Sequence, residues 1–240
     1  MKAQERHHLK ENEFAIQTAR VMETLTSQRD RILMIGGGLL LVAVLVGGYL
    51  YIQRQADNAA GAMLGSAMTI AQAQIVPAPT VPGATQQAGT YPTEQARNDA
   101  AVAAYQKVIA EYPNHAAGLA ARYHLAGLML SMGKAAEATK GFTEVAANAG
   151  SSLYGPMAKM GQAQALAAEN KFEDAIKVLT ELSGQRDSAL PMDGVLMELA
   201  RVCQKAGKTQ DARAAYKRVV DEFPQSPYVG EARQQLAAIG

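Results

Sequence analysis

Ala101, Ala138, Ala175 and Ala212 stand 37 residues apart each time. A fixed period of this length constrains the fold more tightly than any composition does. Four residues after each alanine comes a large apolar side chain, Tyr105, Phe142, Leu179 or Tyr216, and three further on Val108, Val145, Leu182 or Val219. Offsets of four and seven put all three positions on one face of a helix. The alanine then marks a crossing where two antiparallel helices approach closely, and the larger groups fill the space under the next unit. Five residues before the alanine, the last three copies carry Gly133, Asn170 and Gly207, each followed by lysine. Glycine and asparagine tolerate the left-handed backbone that a tight helix-to-helix turn requires. Ala126, Ala163 and Ala200 precede the alanines by twelve residues and supply small residues on the preceding helix. Such a pair cannot bury its apolar face alone, so neighbours must stack. The expected fold is an all-α helical solenoid of 37-residue units.

Composition agrees and excludes several functions. The 240 residues carry 23 Lys+Arg against 22 Asp+Glu, so no strongly basic face favours nucleic acid. Aromatic residues are only 5% and tryptophan is absent, which leans away from a β-sandwich. The single cysteine, Cys203, excludes an intrachain disulfide framework and a cysteine zinc cluster. Four histidines show no metal-ligand spacing, and no GxSxG elbow is present. Glu173 and Asp174 are adjacent, so on a helix they point about 100° apart and do not form a carboxylate pair. No catalytic, cofactor-binding or metal-binding residue is assigned, and an enzyme is not expected. Cys203 falls on a helix face turned towards a neighbouring repeat and His124 on a surface or partly packed position, so both read as structural.

The second strong feature is an uncharged run, ILMIGGGLLLVAVLVGGYLYI, over residues 32–52. As a helix it spans roughly 31 Å, matching a bilayer's hydrocarbon core of about 30 Å. A cleaved signal peptide is the rival reading, but its apolar region is usually shorter and lies behind a shorter start. Residues 1–31, a polar arm with one amphipathic stripe, carry Lys2, Arg6, Lys10, Arg20, Arg29 and Arg31, whereas Arg54 is the only base between the run and Arg97. The positive-inside rule then expects a cytoplasmic N-terminus and an exported C-terminal bulk, anchored once in the inner membrane. Ala43 and Gly47 form a small-xxx-small pair that suits either helix–helix packing or an ordinary membrane span.

Between span and repeats lie two further segments. Residues 53–75 contain the stripe Ala60, Met63, Leu64, Ala67, Met68 and Ala71, which predicts a helix from about Asp57 to Ala73. Residues 76–92 hold four prolines and two glycines and read as an extended linker or long loop. Thr93 offers an N-cap, and helix resumes. The first repeat lacks its first helix in the expected place. The 57–73 helix is therefore expected to fold back as that missing element, with a stalk and flexible tether as the competing picture.

The runs GKAAEATKGFTEV, NKFEDAIKVLTEL and GKTQDARAAYKRVVDEFPQSPY resemble the tetratricopeptide repeat over residues 93–240, which end in a capping helix. The period exceeds that family's usual length of about 34, implying longer turns between repeats. The combination of cytoplasmic helix, one span and exported repeats is similar to the bacterial group that contains the ancillary subunit of the Sec translocon. The last repeat also resembles those of envelope lipoproteins in outer-membrane assembly and of a Tol-associated coordinator. The resemblance implies a membrane-anchored scaffold that binds protein or peptide partners in the cell envelope, translocon or assembly components among them. The alternative is a structural, homo-oligomerising membrane protein.

In that family the first helices line the binding groove. Projecting the register places Tyr123, Leu130, Met157, Met160, Gln164, Met197, Arg201, Gln204 and Lys205 there. Methionines suit adaptable apolar contact with a peptide, and equally suit gap-filling between repeats. Only Arg201 and Lys205 could serve a carboxylate clamp, so a clamp for C-terminal peptides is not expected. Residues 93–240 carry 16 basic and 16 acidic groups, consistent with a solvated helix surface.

Overall fold

The computed structural model describes residues 29–79, 85–185 and 189–239. The amphipathic arm therefore lies almost wholly outside the described residues. Two compact units divide at Ala56/Asp57. Helix α1 (Arg29–Ala71) takes in both the 32–52 run and the 57–71 stripe, which the sequence reading treats as separate elements. The QRQA stretch between them, residues 53–56, contains neither proline, glycine nor asparagine, so the ladder has no reason to stop there.

In the first unit the side chains from Leu33 to Ile52 point outward, with Leu39, Leu40 and Ile52 each about two-thirds exposed. Among the described residues nothing buries this stretch, and by length and composition the helix is apolar enough to cross a membrane.

Among its described residues the second unit consists of helices, their loops and one short strand pairing. Its helices are α2 (Glu94–Glu111), α3 (Ala116–Ser131), α4 (Ala135–Asn148), α5 (Tyr154–Ala168), α6 (Phe172–Ser183), α7 (Met192–Lys205), α8 (Thr209–Glu222) and α9 (Val229–Ala238). Thr93 caps α2, its hydroxyl accepting from the Ala96 amide at 3.1 Å. Within the pairs α3–α4, α5–α6 and α7–α8 the connections are three residues long and built alike. Gly133, Asn170 and Gly207 have φ of 77°, 60° and 73°. The lysine amide that follows donates back to Met129, Leu166 or Cys203 at 2.9 Å in each case. The turn residue's own amide donates to the carbonyl three residues earlier, at 3.0–3.1 Å. This is the Schellman arrangement, which satisfies the orphan carbonyls of the first helix. The length beyond a shorter repeat period falls between pairs instead, at residues 112–115, 149–153, 184–191 and 223–228.

The positions of the 37-residue register all lie inside. Ala101, Ala138, Ala175 and Ala212 are fully buried, and so are Val108, Val145, Leu179, Leu182 and Val219; Tyr105, Phe142 and Tyr216 are nearly so. They divide among three contiguous clusters, one at each end of the array and one between. Because Ala175 is fully buried in the last core cluster, Ala175→Leu is expected to cost about 2 kcal/mol through overpacking. Thermal unfolding of the full chain in detergent measures it, and an unchanged midpoint would mean that Ala175 is not a packed crossing.

Two features carry no sequence signal. Gln74–Ile75 pairs in parallel with Thr90–Tyr91, clipping together the ends of the proline-rich segment. Gln86 fastens the clip by donating from Nε2 to the Val76 carbonyl at 2.9 Å and to Thr90 Oγ1 at 2.8 Å. The described ends of that segment are therefore pinned loop, not free linker. Gly161 lets the Phe142 ring lie against the backbone of α5, since a Cβ there would sit 2.6 Å from the ring.

The 57–71 part of α1 is in this second unit. Ala60 and Ala67 are buried, and Ala67 shares a cluster with Ala101, Tyr105, Val108 and Ala121. Met63, Leu64 and Met68 pack against the same cluster. The segment thus packs on the cluster formed by residues of α2 and α3.

Candidate functional site

The candidate groove draws on α3, α5 and α7, and the structure distributes its residues unevenly. Tyr123 on α3 is half-buried, edge-on to Phe142 at 5.6 Å and tilted against Tyr154 at 5.4 Å. Burial, reinforced by Tyr154, pushes its phenol above the ordinary value. Leu130 and Met160 are partly buried against core clusters. Met157 is half-buried, whereas Gln164 and Lys205 are exposed. Together these offer an apolar, sulfur-rich surface edged by amide and ammonium groups, which suits reversible contact with a peptide or helix.

Three residues depart from the projection. Met197 is 0% exposed and fills the last core cluster, so it is withdrawn from any accessible groove. A helical projection cannot see this, because α7 is covered on several sides by α6, α8 and α9 and its apolar face is correspondingly wide. Arg201 is taken by α9: Nη2 donates to both Glu231 oxygens at 2.8 and 2.9 Å, and Nε to one at 3.2 Å. That hydrogen bonding holds the guanidinium above its ordinary pKa against the opposing effect of burial. Gln204 accepts from the Tyr216 hydroxyl at 3.0 Å and donates to Gln235 at 3.2 Å. Helix α9 is therefore held to α7 through Glu231 and Gln235. Ala232, fully buried, is the residue by which α9 enters the core.

No described group looks chemically reactive. Cys203 is buried, and desolvation pushes its thiol up, with Asp211 adding to the shift and Lys208 opposing it. A raised thiol pKa depletes the nucleophilic thiolate. Among the described residues no three His, Cys, Asp or Glu side chains gather as metal ligands would.

His124 stacks on Tyr105 with ring centroids 6.0 Å apart and a 16° interplanar angle, and meets Tyr123 edge-on at 5.4 Å. Burial lowers its pKa below the ordinary 6.5. A folded-state value below the unfolded one means that the unfolded chain takes up the proton more readily. The stability contributed by neutral His124 is thus complete above about pH 6.5 and declines as pH falls below it. His124→Leu is expected to flatten that acid-side slope. Unfolding midpoints of the two proteins from about pH 5.5 to about 7.5, roughly one unit either side of histidine's ordinary value, provide the test. Parallel slopes would remove the residue from the account.

Sequence reasoning singled out nothing in a second region, where α2, α3 and α4 meet. Two clefts open there, of about 480 and 330 Å³, and both are lined by Arg122 and Glu144.

Comparison with known proteins matches this geometry. Residues 31–239 match the family described as the tetratricopeptide repeat-like domain. No curated protein matches the chain. Among solved structures, the nearly identical TPR-like repeats described as a Podosopora anserina kinesin light chain are 20% identical, with a TM-score of 0.53 over 61% of this chain and 79% of that one. A single-substitution variant of those repeats gives 19% identity and the same TM-score over 61% and 78%. The structure of MamA is 17% identical over 60% and 78%, with a TM-score of 0.49. At these identities the likeness is one of fold. With paired helices, repeated Schellman turns and a match over nearly its whole length, the chain belongs to the tetratricopeptide repeat-like domain family.

Proposed function

We propose that this protein is a membrane-anchored interaction scaffold. Its N-terminal helix holds it once in the inner membrane with the N-terminus in the cytoplasm. Its exported repeats bind protein or peptide partners of the cell envelope during secretion, folding or envelope assembly. One observation carries the reading: a single chain joins a helix apolar enough to cross a membrane to a stacked tetratricopeptide-like array. Proteins of this repeat class generally act as protein-binding scaffolds and not as catalysts. Orientation rests on the contrast between the basic arm and the nearly base-free flank after the span. The contact surface in this reading is the open part of the first-helix face, around Tyr123, Met157, Met160 and Gln164. Residues 57–71 serve as the first helix of the first pair, which supplies the cap that the exposed face of α2 would otherwise lack.

Protease added to cells with a permeabilised outer envelope should degrade the chain beyond about residue 55 and spare the arm. A mature protein beginning near Ala62 would overturn the anchoring. Cross-linking in native membranes, followed by affinity isolation and mass spectrometry, should yield a heterologous partner. A ladder of self-adducts without any foreign band would instead support the homo-oligomeric alternative.

A further inference from the structure

The two clefts at the junction of α2, α3 and α4 form one trough, because Arg122 and Glu144 line both. Its floor is α3, contributing Leu119, Arg122, Leu125 and Met129 at helical spacing. Ile109 of α2 and Glu137, Lys140 and Glu144 of α4 stand on its sides, so the half-buried Arg122 on the floor is set against a mixed-charge rim. The trough lies between second helices, on a different face of α3 from Tyr123 and Leu130.

The next junction shows why this one is open. There Gln162 donates to Thr143 Oγ1 at 2.9 Å, tying α5 to α4 across the equivalent gap. The positions 37 residues earlier hold Leu125 and Gln106, between which no such bond forms. Val178 packs on the core at the second junction, whereas Gly141 stands at its equivalent in the first. Gly141 has no side chain to fill the trough, and a Cβ there would meet the Ala126 methyl at 2.9 Å.

The charge inside the trough identifies an occupant. Among the described residues four arginines are half-buried rather than exposed: Arg97, Arg122, Arg201 and Arg218. Three of them are paired, with Glu94, Glu231 and Glu222. Arg122 forms no ion pair among the described residues. Its Nη1 donates to the Pro113 carbonyl at 2.9 Å, which fixes the guanidinium while leaving its remaining donors open to the trough. A partly desolvated, oriented guanidinium without a carboxylate is complementary to a carboxylate brought by a ligand. The apolar floor beside it favours a protein segment over a small anion.

We propose that this trough is a docking surface for a segment of a protein partner that presents an acidic side chain next to apolar ones. The carboxylate sits on Arg122, and the apolar groups lie over Leu125, Met129 and Ile109. Glu144 disfavours a second acidic group in the same place, which sets the register of the bound segment.

The test uses the full chain in detergent and fluorescein-labelled peptides of about twelve Ala, Leu and Ser residues, carrying one central Glu, Gln or Lys. Fluorescence polarisation should show the Glu probe binding about tenfold more tightly than the Gln probe. Arg122→Met should abolish that preference, and Arg122→Glu should transfer it to the Lys probe. Glu144→Gln changes an exposed side chain with little risk to folding, and it should tighten the Glu probe further. Met160→Ala, on the first-helix face, should leave the preference unchanged. Equal binding of the Glu and Gln probes, or binding of neither, would overturn the proposal. So would loss of binding in Met160→Ala with none in the Arg122 variants, an outcome that leaves the scaffold reading of the first-helix face intact.

Discussion

Gly118→Ala should destabilise the repeat array by about 3 kcal/mol, an unusually large effect for adding one methyl group. The reason is local. Gly118 lies in the first turn of α3, directly under the turn that leads in from α2. A Cβ at this position would sit 2.0 Å from the Tyr112 carbonyl oxygen and 3.0 Å from its carbon. Those are backbone atoms, so no rotamer change relieves the clash. The Tyr112–His115 turn would have to open, and it is held by the His115 amide donating to Tyr112 at 3.3 Å and by Arg122 on Pro113. His115, also tied to Asp57 Oδ1 at 2.7 Å, would move with it. Gly127→Ala supplies the control, since nothing lies within 4 Å of a Cβ there. Thermal unfolding that shifts as little for Gly118→Ala as for Gly127→Ala would mean that the turn tolerates displacement.

What was legible in the sequence follows from what is repeated. A residue that must be small at a helix crossing must be small at every crossing, so the alanines reveal themselves by period alone. The same holds for Gly133, Asn170 and Gly207, because the left-handed turn recurs within the pairs α3–α4, α5–α6 and α7–α8. Gly161 answers to a unique contact with Phe142, and nothing in a 37-residue comparison distinguishes it from glycines of no consequence; Gly118 does recur, as Gly155, and each faces the equivalent residue of the preceding turn, Tyr112 or Ala149. The parallel clip at residues 74–75 and 90–91 is short and polar, with no alternating stripe to announce it.

The candidate surface was legible only as a helical face. Position on a helix does not say how much of that face the neighbouring elements cover. Met197, Arg201 and Gln204 differ little from Met160 and Gln164 in sequence terms, yet α8 and α9 enclose or bind the former. The unpaired state of Arg122 was equally invisible. It depends on the absence of a carboxylate at contact distance from other helices, which only a three-dimensional arrangement can establish.

The largest effect is expected from Ala67→Glu. Ala67 is 1% exposed and lies among Tyr105, Val108, Ala101 and Ala121. Burying an unpaired carboxylate there would cost about 4 kcal/mol or more. Opposing it is the docking of residues 57–71, which rests on a few methionine, leucine and alanine contacts worth about 1–3 kcal/mol per large side chain. Among the described residues Asp57–His115 is the one side-chain hydrogen bond that adds to those contacts from this segment to the later helices. The segment should therefore undock instead of taking the charge inside, exposing Tyr105 and the Ala101 face of α2. Hydrogen exchange would rise over residues 57–71 and 94–111 while α7 and α8 stay protected, because each pair contacts only its neighbours. Cross-linking between Met63→Cys and Tyr105→Cys in a Cys203→Ser background would be lost with it. Ala62→Glu, one helical face away and exposed, should change neither readout. If Ala67→Glu left exchange and cross-linking as they were, residues 57–71 would not be the first helix of the array.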